Sequence, residues 1–258
     1  MINLKTEEEM EILRQGGKIL ARILKEITAK IKPGIETGEL EKAAEYLMEK
    51  YGGIPSFKNY ESGRNGEPFP TILCTSINDE VVHAPSLPSR KLESGDIVGI
   101  DVGMLYPKDN GLYTDMAATV GVGKIPAKAK KLIKVTREAL DSGVRQIKPG
   151  NTLNDIAEAI QTHVEKNGFS IVRDLVGHGV GRAVHEDPQI PNFVVNDAFD
   201  IKLEPGMVIA IEPMVNVGSP HIKYGRDPFT ILTADGKLSA HFEHTIAVTK
   251  NGHEVLTM

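Results

Sequence analysis

The sequence predicts an α+β fold: two pseudo-symmetric halves with a curved, largely antiparallel sheet flanked by helices. Three observations carry that prediction. Amphipathic helical segments and short strands come in groups rather than in strict alternation. A helix, a Lys-Pro-Gly stop and a second helix occur early, around Lys32–Gly34, and again late, around Lys148–Gly150. Leu92-Glu93-Ser94-Gly95-Asp96-Ile97-Val98-Gly99-Ile100-Asp101 is matched by Leu203-Glu204-Pro205-Gly206-Met207-Val208-Ile209-Ala210-Ile211-Glu212. Each of these is a glycine turn, an apolar strand and a carboxylate at the same place. An internal duplication accounts for the repeats. Its halves are residues 1–123 and 124–258, packed as one domain over 1–258.

The elements follow in order. Thr6 with Glu9 forms a capping-box signal, so a first helix is expected from about Thr6 to Ile31. Leu13, Leu20, Ile23, Leu24, Ile27 and Ile31 give it one apolar face. Lys32-Pro33-Gly34 stops it. A second helix is expected at Gly38–Tyr51, a third at Ala127–Ile147 and a fourth at Leu153–Asn167. Strands are expected at Thr71–Ile77, Ile97–Val102, Leu112–Val120, Val208–Val215, Phe229–Leu232 and Glu243–Thr249. Two long loops, Ile54–Pro70 and Glu186–Ile201, hold proline, asparagine and glycine, and loops of that length are often functional.

Composition narrows the chemistry. Of 258 residues, 40% are hydrophobic and 25% charged, which suits a soluble globular protein and excludes collagenous and disordered classes. Cys74 is the single cysteine, so an internal disulfide, a cysteine-rich zinc site and an iron–sulfur cluster are excluded. Any metal must rest on histidines and carboxylates. A net charge of −5 argues against coating nucleic acid. The acidic N-terminus has no signal-peptide pattern and no stretch is apolar enough to span a membrane, so a cytoplasmic location is expected.

Carboxylates sit where strands should be apolar. Asp101 and Glu212 close apolar runs, Asp115 lies inside one and Glu243 opens one. A buried carboxylate needs a cation, hydrogen-bond donors or a raised pKa. Taken singly, each could be a strand-end cap. His178 stands in Gly177-His178-Gly179-Val180-Gly181-Arg182, where glycines leave space beside the imidazole. His185 follows seven residues later, and His83 precedes a proline-marked loop. His163 and His253 read as ordinary surface or core residues. His221 and His241 read as loop residues, and His244 should face away from Glu243. One histidine with four carboxylates suits a pair of divalent transition ions. The chain has no P-loop lysine and hydroxyl, and no Gly-x-Ser-x-Gly elbow.

With these motifs in hand, the chain resembles a type I methionine aminopeptidase of the bacterial kind over essentially its whole length. The resemblance rests on Ser76–His83, Gly95–Asp101, Gly177–Arg182, Glu212-Pro213-Met214-Val215 and Glu243-His244-Thr245-Ile246. It implies the pita-bread fold, in which two related halves surround a curved antiparallel sheet. It implies a hydrolase that removes N-terminal methionine from nascent proteins and peptides, preferring a small second residue. Asp101, Asp115, His178, Glu212 and Glu243 would hold two divalent ions, drawn from Co, Mn, Fe or Zn, with Asp101 and Glu243 bridging. His83, His185 and Glu212 would be catalytic. Phe69 and Cys74 match positions of the methionine pocket, with His83 and His185 also touching substrate. The family's pocket is usually aromatic, whereas Val184 precedes His185 here and the chain has no tryptophan. For Cys74 a plain buried thiol is the other reading. Tyr106–Gly111 should form an enlarged turn.

Two rivals stand beside that reading. One is a related Xaa-Pro aminopeptidase or dipeptidase of the same fold, which normally carries an additional N-terminal domain. The other is a metal-free binding module that kept the fold. Expected partners are methionyl peptides and nascent chains, with no specific nucleic acid, no membrane and a monomeric state. The five lysines from Lys124 to Lys134 read first as a solvated helix face, and second as a transient ribosome contact.

Overall fold

The computed structural model describes residues 2–61, 63–64, 66–196 and 200–258. Met1 and parts of the two expected long loops, at 62, 65 and 197–199, lie outside the described residues. Four helices are present: α1 (Glu7–Thr28), α2 (Thr37–Tyr51), α3 (Ala127–Val144) and α4 (Leu153–Lys166). The strands are β1 (Ile54–Pro55), β2 (Cys74–Ile77), β3 (Glu80–Val82), β4 (Ile97–Tyr106), β5 (Leu112–Gly121), β6 (Ser170–Ile171), β7 (Gly177–Gly179) and β8 (Glu186–Ile190). They continue with β9 (Val208–Ile211), β10 (Met214–Asn216), β11 (Ile222–Tyr224), β12 (Ile231–Thr233), β13 (Ser239–His241), β14 (Glu243–Thr249) and β15 (Gly252–Val255).

The helices start where their caps allow. Glu9 N–H donates to Thr6 Oγ1, and Thr6 N–H donates to Glu9 Oε2 at 2.8 Å, which closes the capping box of α1. Thr152 and Asp155 repeat the device on α4. Each helix pair packs on its own body of core. α1 and α2 bury Leu20, Ile23, Leu40 and Leu47 against Ile100 and Val102 of β4. α3 and α4 bury Leu132, Ile156 and Ile160 with Ile209, Ile211 and Ile246 of β9 and β14.

A nine-stranded sheet runs β1-β4-β5-β14-β9-β7-β8, with β15 on β14 and β2 on β4. Two three-stranded sheets, β13-β10-β6 and β11-β12-β3, lie beside it. Among the described residues every strand pairing is antiparallel, as expected for the α+β pita-bread class.

Several elements depart from the sequence prediction, each for a local reason. The expected strand Val208–Val215 breaks at Glu212-Pro213, because proline supplies no ladder N–H, and Met214 joins the second sheet. The expected strand Thr71–Ile77 begins at Cys74. Ile72 and Leu73 instead donate their N–H groups to Glu41 at 2.7 and 3.1 Å. β4 runs on to Tyr106, where it pairs with Leu112, and the enlarged turn lies between them. The expected loop Glu186–Ile201 opens with β8, and its Pro188 sits on an edge strand. His241 is a residue of strand β13 and only 3% exposed, not a loop residue. Thr119 Oγ1 accepts from His241 N–H and donates to His241 C=O, pinning that backbone to β5.

Candidate metal centre

Five adjacent strands of the large sheet each deliver one side chain to a single place. Across β4-β5-β14-β9-β7 these are Asp101, Asp115, Glu243, Glu212 just past the end of β9, and His178. The register explains the convergence. Ala117 of β5 pairs with Asp101 on one side and with Glu243 on the other. Asp115 lies two residues from Ala117 and so shares its face. His178 pairs with Ala210, which also pairs with Thr245. Gly177 and Gly179 make this crowding feasible in a way the sequence did not reveal. A Cβ on either would collide with the carbonyl of Ala210 or of Asp187 on the neighbouring strands.

A small cavity of about 70 Å³ is lined by these five residues together with His83, His185, Phe69 and Cys74. All nine candidates named from the sequence therefore meet in one pocket. Two further lining residues, Phe57 and Tyr60, were not anticipated. Both come from the long loop before β2, whose aromatic content was the available signal. Phe229 stands behind Phe69 with ring centroids 5.2 Å apart in an edge contact. Phe57 meets Phe69 on another side at 6.5 Å. An aromatic wall is thus built without tryptophan. Val184 is buried, and Cys74 pairs with Asp101 in the β2–β4 register, so it is both a buried strand thiol and a pocket residue.

The electrostatics are unusual for a protein interior. Burial pushes Glu212 up to about 8. Burial and the nearby Glu212 push Asp115 up to about 7. Burial, reinforced by the other carboxylates, holds Asp101 and Glu243 well above the usual carboxylate range. Burial also raises the Cys74 thiol, so it is not an activated nucleophile. The histidines shift the other way. Burial lowers His178 to about 4 and His241 to about 3. His83 and His185 keep exposed rings that cleft water screens, yet surrounding protein pushes both below the usual imidazole value.

The donor set fits a divalent cation. Asp101 Oδ1 is buried with no hydrogen-bond partner, an arrangement that costs free energy unless a cation approaches. Ligand atoms of Asp115, His178 and Glu243 lie within 4.8 Å of one another. His178 Nδ1 is 2.9 Å from the Gly179 carbonyl, so its proton belongs there and Nε2 presents a lone pair. That Nε2 is 3.7 Å from Glu212 Oε1 and 4.0 Å from Glu243 Oε1. Around this centre, Tyr60 Oη is 2.8 Å from His185 Nδ1, and the His178 and His185 rings touch at 4.4 Å between centroids. His83, directly after β3, has φ +60°, an uncommon value for a residue with a Cβ and one that recurs at functional positions. His244 turns away to Thr257 Oγ1.

Fold and site together define an antiparallel α+β chain that gathers acidic residues and a neutral imidazole, a donor set suited to divalent metal, beside an aromatic-walled pocket. Residues 11–250 match the description "Metallopeptidase family M24", and the chain belongs to that family. Methionine aminopeptidase of Clostridium perfringens is 49% identical over 259 residues, covering 100% of this chain and 99% of that protein. Methionine aminopeptidase 1 of Bacillus subtilis is 48% identical over 258 residues, with 100% and 99% covered. The crystal structure of methionine aminopeptidase from Thermotoga maritima superposes with a TM-score of 0.93 at 42% identity, covering 100% of this chain and 99% of that one.

Proposed function

We propose that the protein is a metal-dependent methionyl aminopeptidase, which hydrolyses the first peptide bond of peptides and nascent chains that begin with methionine. The observation that carries this reading is that an aromatic-walled pocket, with Phe57, Tyr60, Phe69 and Cys74 in its lining, shares one cavity with the carboxylate–histidine centre. Asp101, Asp115, His178, Glu212 and Glu243 would hold two divalent ions. Bound there, the ions would supply Lewis acidity to the scissile carbonyl and lower the pKa of the attacking water.

The chain's own groups do the rest. Phe57, Phe69, Tyr60 and Cys74 take the methionine side chain, a polarizable thioether that suits aromatic and sulfur neighbours. Glu212, at the edge of the centre, takes a proton from the attacking water and returns it to the departing amine. With Tyr60 Oη donating across its 2.8 Å contact to His185 Nδ1, the His185 proton would sit on Nε2, ready for the substrate carbonyl oxygen. His83, which also lines the pocket, would contact the leaving amide nitrogen. A preference for a small second residue belongs to the same reading. The protein works as a cytoplasmic monomer. The α3 lysines form a solvated face, with Lys131 bonded to the Asn167 carbonyl and Lys134 beside Glu138, and any ribosome contact through them is transient.

Methionine release from Met-Gly-Met-Met and from proline-containing peptides, with Co, Mn, Fe and Zn added one at a time, tests the reading. Release from the former alone is expected. Preference for the proline peptides would move the chain to the Xaa-Pro reading, and no release with any metal would leave a binding module.

A further inference from the structure

Glu212 lies between two imidazoles. Its Oε1 faces His178 Nε2 at 3.7 Å, on the pocket side. Its Oε2 faces His241 Nε2 at 3.5 Å, on the far side, and His241 does not line the pocket. The His241 side chain is 4% exposed, and its Nε2 is buried with no hydrogen-bond partner. A buried ring nitrogen left unpaired is costly, and Glu212 Oε2 is the carboxylate oxygen it faces. The placement is firmly set. His241 pairs with Met214, two residues past Glu212, and Thr119 clamps its backbone on both sides. The backbone of Glu212 is held in turn, because Asn192 Nδ2 donates to its carbonyl at 3.2 Å.

We infer that His241 is a positioning residue for Glu212: its Nε2–H holds Oε2 and so keeps Oε1 turned toward His178 and the reacting groups. The inference rests on the reading of Glu212 as the proton carrier. A glutamate side chain has three rotatable bonds, and a proton carrier gains rate only when held within hydrogen-bond reach of the atoms it serves. Holding one oxygen from behind does this without occupying the pocket. His241 touches no substrate; it acts through Glu212.

Two substitutions separate this role from simple filling of space. His241→Leu keeps the volume and removes the donor. His241→Gln keeps an N–H able to reach the same oxygen. With zinc-loaded protein, His241→Leu should lower kcat on Met-Gly-Met-Met by about ten- to a hundredfold while KM stays within about twofold, and His241→Gln should restore most of kcat. Circular dichroism and melting of each variant control for folding. A second readout does not depend on turnover. In ¹⁵N-histidine NMR of metal-free and zinc-loaded protein, His241 Nε2 should carry the proton, and its shift should move in Glu212→Gln. Unchanged kcat in His241→Leu, equal losses in the leucine and glutamine variants, or an unprotonated Nε2 would each overturn the inference. A parent protein that releases no methionine but shows the Nε2–H shift coupled to Glu212 would sink the functional reading and leave the contact standing.

Discussion

Glu41 and Glu212 are both enclosed glutamates with opposite tasks. Glu41 accepts from Ile72 N–H, Leu73 N–H and Ser86 Oγ, so its charge is spent on holding the segment before β2. Glu212 carboxylate oxygens instead face the imidazole nitrogens of His178 and His241 at 3.7 and 3.5 Å, and its pKa is raised. Glu41→Gln should therefore cost about 1–3 kcal/mol in urea unfolding while zinc affinity stays unchanged, because one backbone donor loses its acceptor. Glu212→Gln should do the reverse: the metal-free protein melts no lower than the parent, and turnover is lost. Equal stability losses in the two variants would refute the contrast. His83 gives a second residue-scale expectation. His83→Ala should lower kcat by about 10²–10⁴-fold, with metal content by elemental analysis unchanged. Near-normal turnover would remove His83 from the reaction.

At the scale of elements, the segment before α1 is a strap across the loop that carries His185. Lys5 is buried and its Nζ lies 2.8 Å from Glu186 Oε2, and both side chains are nearly inaccessible. Glu186 Oε1 accepts from Arg182 and Ala183 N–H, while Arg182 pairs with Glu9 at the start of α1. Lys5 also packs its side chain where a Cβ on Gly181 would sit, and the Gly181 φ of +141° suits glycine. Removing one partner of a buried pair strands the other charge. Lys5→Met is expected to destabilise the fold by about 3 kcal/mol, and because Glu186 follows His185, kcat should fall as well. A loss below about 1 kcal/mol in chemical denaturation would mean that the backbone donors suffice to hold Glu186.

Over the whole molecule, the same cluster makes stability depend on metal and pH. Asp115 is pushed up to about 7 and Glu212 to about 8, whereas in an unfolded chain such groups titrate near 4. Between about pH 7 and 8 the metal-free folded state still holds part of the protons on Asp115 and Glu212 that the unfolded state has released. Its stability must therefore fall as pH rises through that window. His178 and His241, lowered to about 4 and about 3, are neutral in both states there and do not offset the trend. The melting temperature of metal-free protein should drop across this range, with a slope of up to about 1.4 kcal/mol per pH unit for each group. Added manganese or cobalt should restore it, most at the alkaline end, because metal competes with protons for these carboxylates. A pH-independent metal-free melting curve would contradict the raised carboxylates.

Much of this was legible in one dimension. The capping box of α1, the Lys-Pro-Gly stops and the strand Glu243–Thr249 depend on local signals, so the α+β class and the helix pairs followed from the order of residues. The candidate ligands were legible because a carboxylate in an apolar strand is costly wherever that strand packs. Other features depend on which strands become neighbours. Only the β4-β5-β14-β9-β7 order brings the five candidate ligands to one place, and only the long-range docking of the loop before β2 and of Phe229 builds the aromatic wall. His241 looked like a loop residue because its strand is three residues long and pairs with β10, which exists only because Pro213 turns the chain out of the large sheet. Local chemistry determined which residues could serve a metal site; the tertiary pairing decided which of them face it, since register between distant strands is set by packing rather than by adjacency in the chain.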